Sequence, residues 1–400
     1  MIIFSFFNPL PLCQCDRPES LRFYPDELPN NNLKNTDIII MTCNRPRSLY
    51  KSLRSILNAY GVDKTRIWVM VDGYDYADET KDIAKLLGVN WKLFNPRGVN
   101  KARITQHYGS VLKWIFHEDR SATSVSTDQV IIFEDDLEVS RDIFNYFSQT
   151  LPILKIDPSL WCISAWNDHG FTHTTGSDSQ TYRVEGTPGL GWLMTKNYFK
   201  SEIEDIWPSI SEKNLAWNDW LKDINSKARK ECIIPDVPRV FHFPSKNKAQ
   251  PNKYQDEYYN RKDFLSSSKI QSNSINDYDD SPVKLENLDR LVSDKYEDHM
   301  YKLIGSSLLV DHSISPCSEN FMQNANPNNT YIAYFRMQHD TSTDVFLNLA
   351  KCLKIWDVDV RGLHKGSLKL YINKAPVIFI GSPASPYSIH KPQSVIAYYI

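Results

Sequence analysis

The chain has 400 residues, enough for two or three domains and a sizeable core. Lys+Arg number 46 against 48 Asp+Glu, so a net charge of −2 offers no global field for nucleic acid or an anionic membrane, and 41 % hydrophobic residues exclude disorder throughout. Seven cysteines are too few for a disulfide scaffold and contain no CxxC pair, which removes the ligand spacing of a structural zinc site. Composition alone leaves open whether they are thiols or bridges. The apolar start MIIFSFFNPLPL has no basic flank, carries two prolines and falls short of the ~20 residues of a bilayer span. No anchor is therefore visible in this sequence: either the protein is soluble, or an anchor lies upstream.

After a polar, Pro/Asn-rich stretch at 16–35, the run DIIIMTC at 37–43 predicts a buried strand and the segment 47–60 a helix. IWVMVDG at 67–73 predicts a second strand, followed by an acidic helix near 78–87, a weak strand at 90–94 and a helix over 101–116. VIIFEDD at 130–136 reads as a third apolar strand ending in three carboxylates, with a helix near 141–150 beyond it. This is βαβ rhythm, and an open parallel sheet binds its ligand beyond the carboxyl ends of the strands. Strands or strand-edge loops follow at 160–168 and 188–194, then a Ser/Asn/Asp-rich stretch at 265–295 that reads as an exposed linker or a surface excursion. The last hundred residues mix strand-like runs (TYIAYFRM, LKLYI, PVIFIG) with one helix around 343–353, a small α+β unit.

Three adjacent carboxylates, Glu134, Asp135 and Asp136, repel one another unless a cation or donor groups lie close by. They read either as a hard-oxygen site for Mg²⁺ or Mn²⁺ shared with nucleotide phosphates, or as a solvated acidic turn entering a helix. Asp72 suits a ribose hydroxyl or base N–H, or simply an Asp-Gly turn; Arg45 suits a phosphate through its planar fork, or an ordinary surface position. His107 is either a ligand-facing or a core histidine. Of the six tryptophans between 161 and 220 most read as core, whereas Trp217-Asn218-Asp219-Trp220 sets polar groups between aromatics as a sugar site would. GxGxxG and GxxxxGK[ST] are absent, and so is a nucleophile elbow, which excludes dinucleotide, Walker-type and α/β-hydrolase readings.

VIIFEDDLEV, SLWCISAWND, PGLGWLM and ECIIPDVPR closely resemble glycosyltransferase family 13, whose members transfer GlcNAc from UDP-GlcNAc to a mannose O2. NRPRSLYKSLRSIL, DGY at 72–74, LAKCLKIWDVDVRG at 349–362 and GSPASPYSIHKPQSV at 381–395 are most similar to the branch acting on protein O-mannose; the N-glycan branch shares the middle motifs. The resemblance implies a Rossmann-like GT-A fold over 36–264, with a donor half at 36–155 and an acceptor half at 156–264. It leaves 1–35 an unmatched leader and 265–295 a linker, and 296–400 becomes a C-terminal α+β domain. It further implies an inverting, Mn²⁺-dependent transfer in which Asp136 ligates the metal and Glu134 and Asp135 lie toward donor sugar and ribose. Arg45, Asp72 and His107 would hold diphosphate, uracil and nucleoside, with Leu190 and Trp217 completing the donor-binding set. The implied partners are UDP-GlcNAc and a mannose-bearing glycoprotein, with no nucleic acid.

Two departures stand out. The family places its general base directly after the tryptophan of W-D-x-W, where this chain has Asn218 and carries Asp219 one position later. The loop after 242–243, glycine-containing and mobile in relatives, reads PSKNKAQPN here, leaving Lys246 and Lys248 as its phosphate-seeking charges. The chain is thus expected to be an active transferase using Asp219 as base, or a silent relative that keeps the donor pocket. The resemblance pairs Cys162 with Cys232 and Cys317 with Cys352, and it implies a Golgi lumenal location with a type II membrane anchor outside this sequence. The Asn328-Asn329-Thr330 sequon is compatible with that compartment.

Overall fold

A computed structural model describes residues 23, 25–28, 30–73, 77–117, 127–186, 189–209, 216–244, 253–265, 282–339 and 342–400. The first half alternates strand and helix: β1 Thr36–Thr42, α1 Pro46–Leu57, β2 Ile67–Asp72, α2 Ala77–Leu87, β3 Asn90–Phe94, α3 Asn100–His117 and β4 Gln129–Glu134. Next come β5 Leu137–Val139, α4 Ile143–Ile156, β6 Leu160–Ser164, β7 Thr181–Glu185, β8 Trp192–Thr195 and α5 Lys196–Tyr198, which runs on as a π turn over Phe199–Ile203. The second half continues with α6 Trp217–Lys227, β9 Glu231–Pro235, β10 Val240–His242 and the short α7 Lys253–Glu257. The chain ends with α8 Ser293–Ser306, β11 Leu308–Leu309, β12 Tyr331–Met337, α9 Asp344–Cys352, β13 Ser367–Ile372 and β14 Ala375–Pro383.

Eight strands form one sheet in the order β3-β2-β1-β4-β8-β6-β9-β7, parallel from β3 to β4 and mixed beyond. Alternation along β1 sorts its side chains onto two faces. Ile38 and Ile40 pack with Leu53 and Ile56 of α1, while Ile39 and Met41 pack with Val111, Leu112 and Ile115 of α3. All four β1 residues are buried, as in a sheet covered by helices on both sides. This is the Rossmann-like α/β arrangement the resemblance implies. A four-stranded sheet, β11-β12-β14-β13, packs with α9 around Phe335, Phe346, Leu349 and Phe379 to form the C-terminal α+β unit.

The structure differs from expectation at two places. The strand expected over 130–136 stops at Glu134, because Asp135 and Asp136 turn the chain into β5, whose partner is β10. The helix expected near 141 begins only at Ile143, so the triplet is not the first turn of a helix. The segment expected as a linker over 265–295 lies outside the described residues at 266–281; in its last part Lys284, Glu286, Asn287, Asp289 and Arg290 are exposed, while a few positions are anchored to the neighbouring helix. Asn145 and Gln149 of α4 donate to the Val283 carbonyl, and Leu285 and Leu291 are buried. Tyr74, Lys246, Lys248 and most of the leader also lie outside the described residues.

Cys162–Cys232 bridges β6 to β9, Cys317–Cys352 ties the C-terminal unit, and Cys43 is free. A buried ionic clasp joins the two units. Arg183 of β7 pairs with Asp157 and Glu231 at 2.7 Å each, and Glu231 also takes His364 Nδ1. From the other ring nitrogen His364 reaches Glu297 of α8 at 3.0 Å and the Tyr387 hydroxyl at 2.9 Å, with Lys365 also on Glu297.

Burial opposes the charged imidazole, but Glu231 and Glu297 outweigh it and raise the His364 pKa. A raised folded-state pKa gives stability that is complete below the unfolded value, about 6.5, and is lost as pH rises through the folded value. His364→Gln should therefore destabilise the protein by about 3 kcal/mol near pH 6. Thermal or urea denaturation of both proteins should show the gap shrinking toward pH 9; a gap constant with pH would contradict the clasp.

Candidate active site

From β1 the chain steps to β2 on one side, while β4 joins β1 on the other, so the carboxyl ends of β1 and β4 flank a crevice. A cavity of about 570 Å³ opens there. Thr42, Cys43 and Arg45 reach it from the end of β1, Asp72 from β2, Glu134 from β4, and Arg103, His107 and Tyr108 from α3. A larger cleft of about 680 Å³ lies by the first residues of β4 and β6, bordered by Lys155, Lys196, Lys200 and Lys230. One of its lining atoms, Gln129 Oε1, is buried without a hydrogen-bond partner, but the cleft lies at the amino ends of these strands, away from the carboxyl ends where an open α/β sheet binds its ligand.

Arg45 stands at the foot of α1, where Pro46 occupies the first turn and its missing N–H goes unneeded. Its guanidinium forks onto Asp135 and onto Asp136 Oδ2, the latter at 2.6 Å. Thr42 donates its hydroxyl to Asp135 Oδ2 at 2.6 Å, and Asp135 is fully buried. The Asp135 carboxylate is thus spent inside the protein, and of the triplet Glu134 borders the cavity. Asp136 sits beside His242 of β10, whose Nε2 is 3.6 Å from Oδ2. Burial raises the Asp136 pKa, yet His242 and Arg45 together bring it below the ordinary carboxylate range. For Asp135 burial wins over Arg45, and its pKa is raised.

Asp72 accepts from Arg103 Nη2 at 2.5 Å and Nε at 3.0 Å, and Arg103 Nη1 holds the Pro96 carbonyl at 2.7 Å. Arg103 and His107 share one face of α3 through their i, i+4 spacing. His107 is buried, its Nε2 has no hydrogen-bond partner, and burial lowers its pKa to about 4, so the ring is neutral at physiological pH. Arg103, His242 and Tyr108 were not singled out from sequence; for Arg103 the signal was that helical spacing, whereas His242 depends on the β5–β10 pairing.

The remaining predicted residues lie elsewhere. Leu190 is half-buried against the core, just before Gly191 at φ +66, where an added Cβ would meet Val240 Cγ1 at 2.8 Å. Trp217 is buried behind Tyr108, with ring centroids 4.2 Å apart and planes at 23°. Asn218 and Asp219 occupy the exposed first turn of α6 and do not border the cavity. Trp220 packs edge-on against Trp207.

Among the described residues no three His, Cys, Asp or Glu side chains form a metal cage. Asp136 Oδ1, however, is buried without a hydrogen-bond partner. One unspent carboxylate oxygen fits a hard divalent cation that draws its other ligands from water and phosphate. Replacing Arg45 with Met should cost about 2 kcal/mol in urea denaturation, because two buried carboxylates lose their guanidinium, with part of the loss recovered by Lys. Equal stability of the Met variant and the parent would show that the fork carries no weight.

Comparisons with known proteins place the chain in a family. Residues 26–262, more than half of the chain, match the GNT-I family. An Arabidopsis thaliana protein named alpha-1,3-mannosyl-glycoprotein 2-beta-N-acetylglucosaminyltransferase is 26% identical over 217 residues, covering 52% of this chain and 46% of its own length. The chain thus spans about half the length of that relative. Among solved structures, a cytidylyltransferase from Leptospira borgpetersenii aligns with a TM-score of 0.30 and 12% identity over 48% of this chain and 72% of its own, too distant a likeness to bear on function. Among the described residues no helix is long and apolar enough to cross a membrane. With its family match spanning the whole crevice-bearing sheet, the chain belongs to the GNT-I family, glycosyltransferase family 13.

Proposed function

We propose that the protein is an inverting β-1,2-N-acetylglucosaminyltransferase that moves GlcNAc from UDP-GlcNAc to a mannose O2 of a glycoprotein. The observation that carries the reading is the convergence of Arg45, Asp72, His107 and Glu134, from four separate elements, on one cavity at the β1/β4 crevice. In this reading neutral His107 and the Asp72–Arg103 pair receive the uridine. The first residues of α3, which border the cavity, favour the negative diphosphate. Arg45 adds the fork that matches phosphate oxygens. Asp136, aided by Oδ1, would hold a divalent cation, Mn²⁺ by the family resemblance, and that ion would neutralise charge on the leaving diphosphate. Glu134 accepts from a hydroxyl of the donor sugar.

The acceptor hydroxyl oxygen attacks the anomeric carbon as the bond to the UDP oxygen breaks, and its proton passes to a carboxylate on the acceptor side. Asp219 is the candidate, since the amide of Asn218 does not take up a proton at neutral pH. A silent relative is the second reading, favoured by Asn218 at the family's base position. For the acceptor, the C-terminal motifs favour O-mannosyl glycans and the name of the Arabidopsis relative favours N-glycans. A Golgi lumenal site follows from the same family reading and suits the two disulfides.

Calorimetric titration should show UDP binding that depends on Mn²⁺ and weakens at least about tenfold in Asp136→Asn. Transfer from UDP-GlcNAc to mannosyl peptides and mannose-terminated N-glycans should fall about 10²–10⁴-fold in Asp219→Ala. UDP binding with transfer arising only in Asn218→Asp would support the silent reading. Absence of UDP binding with Mn²⁺ present would overturn both.

A further inference from the structure

Tyr108, buried on the cavity wall, touches two separate elements at once. Its hydroxyl donates to Glu134 Oε1 at 2.7 Å, and its ring stacks on Trp217, the first residue of α6. Trp217 in turn stacks on Trp192 of β8, with centroids 5.7 Å apart and planes at 14°. A column of three rings therefore runs from α3 through α6 to β8, with one polar atom at its end directed at a carboxylate of the cavity wall.

We propose that Tyr108 is a positioning residue for transfer: it fixes which oxygen of Glu134 faces the donor sugar and ties that choice to the seat of α6. The inference rests on the proposed function, which gives Glu134 its sugar contact. A carboxylate at the end of a strand has a broad terminal torsion, and a single short hydrogen bond restricts it. With Oε1 engaged by the phenol, Oε2 is the oxygen left to accept from a sugar hydroxyl. Burial, reinforced by Glu134, keeps the phenol protonated far above physiological pH, so this donor is constant. Phenylalanine would preserve the stack and delete only the donor; leucine would delete both.

The distinction gives a test that separates positioning from mere packing. With Mn²⁺, Tyr108→Phe should bind UDP within about twofold of the parent while kcat/KM for UDP-GlcNAc falls about tenfold, because UDP lacks the sugar that Glu134 meets. Tyr108→Leu should lose more in kcat, since α6 loses its ring contact. In a Glu134→Gln background the Phe substitution should add less than about twofold, as expected of two residues acting through one bond. Equal losses for UDP and UDP-GlcNAc, unchanged kcat/KM, or full additivity with Glu134→Gln would each overturn the assignment. A parent protein that fails to bind UDP would instead overturn the functional reading beneath it.

Discussion

A buried cluster of carboxylates must be given counter-charge, and the crevice of this protein is organised around that need. Glu134, Asp135 and Asp136 follow one another at the end of a buried strand, where water cannot screen them. Arg45 answers two of them from the end of β1, Thr42 adds a donor from the same strand, and His242 approaches from the β5–β10 ribbon. These groups come from three stretches of sequence, so the cluster holds only when β1, β4 and β10 are in register. The electrostatics of the site and the topology of the sheet are one constraint.

The same constraint separates duties within the triplet. Asp135 is fully enclosed and serves the fold; Glu134 looks into the cavity; Asp136 keeps one oxygen unspent behind Arg45. A similar division holds at Asp72, whose carboxylate is oriented by Arg103 while the neighbouring His107 leaves Nε2 unused. Residues that orient and residues with spare valence alternate around the wall, which is how a pre-organised polar pocket is held in shape before a ligand enters.

Much of this was legible in the chain because strand ends are written locally. The four-residue apolar run before Glu134 and the Asp-Gly after Val71 announce strands with polar ends, and the spacing of helices between them announces a parallel sheet. What escaped depends on distant pairing. Nothing near Leu137 signals that it will pair with His242 a hundred residues on, and so the sequence offers no strand at 137–139. The polar stretch before α8 looked like linker by composition, yet Leu285 and Leu291 find buried places against α4 and its neighbours. Tyr108 hides for a similar reason, because a helical tyrosine shows its partner only once α3 lies against β4.

The seating of α6 decides which way Asn218 and Asp219, in its first turn, are directed. Alpha helix α6 is seated by Trp217 in its ring column and by Lys222 reaching Asp359 of the C-terminal unit at 3.2 Å. Exchanging the directions of Asn218 and Asp219 requires a rotation of about 100° about the helix axis. That rotation would pull Trp217 out of its stack, at a cost of about 2–3 kcal/mol in burial with the ring contacts in addition. The ring column therefore fixes which of the two residues faces a given direction. If Asp219 serves as the base, the acceptor must approach along the direction Asp219 already has, and the geometry of the acceptor must differ from that of relatives whose base directly follows the tryptophan.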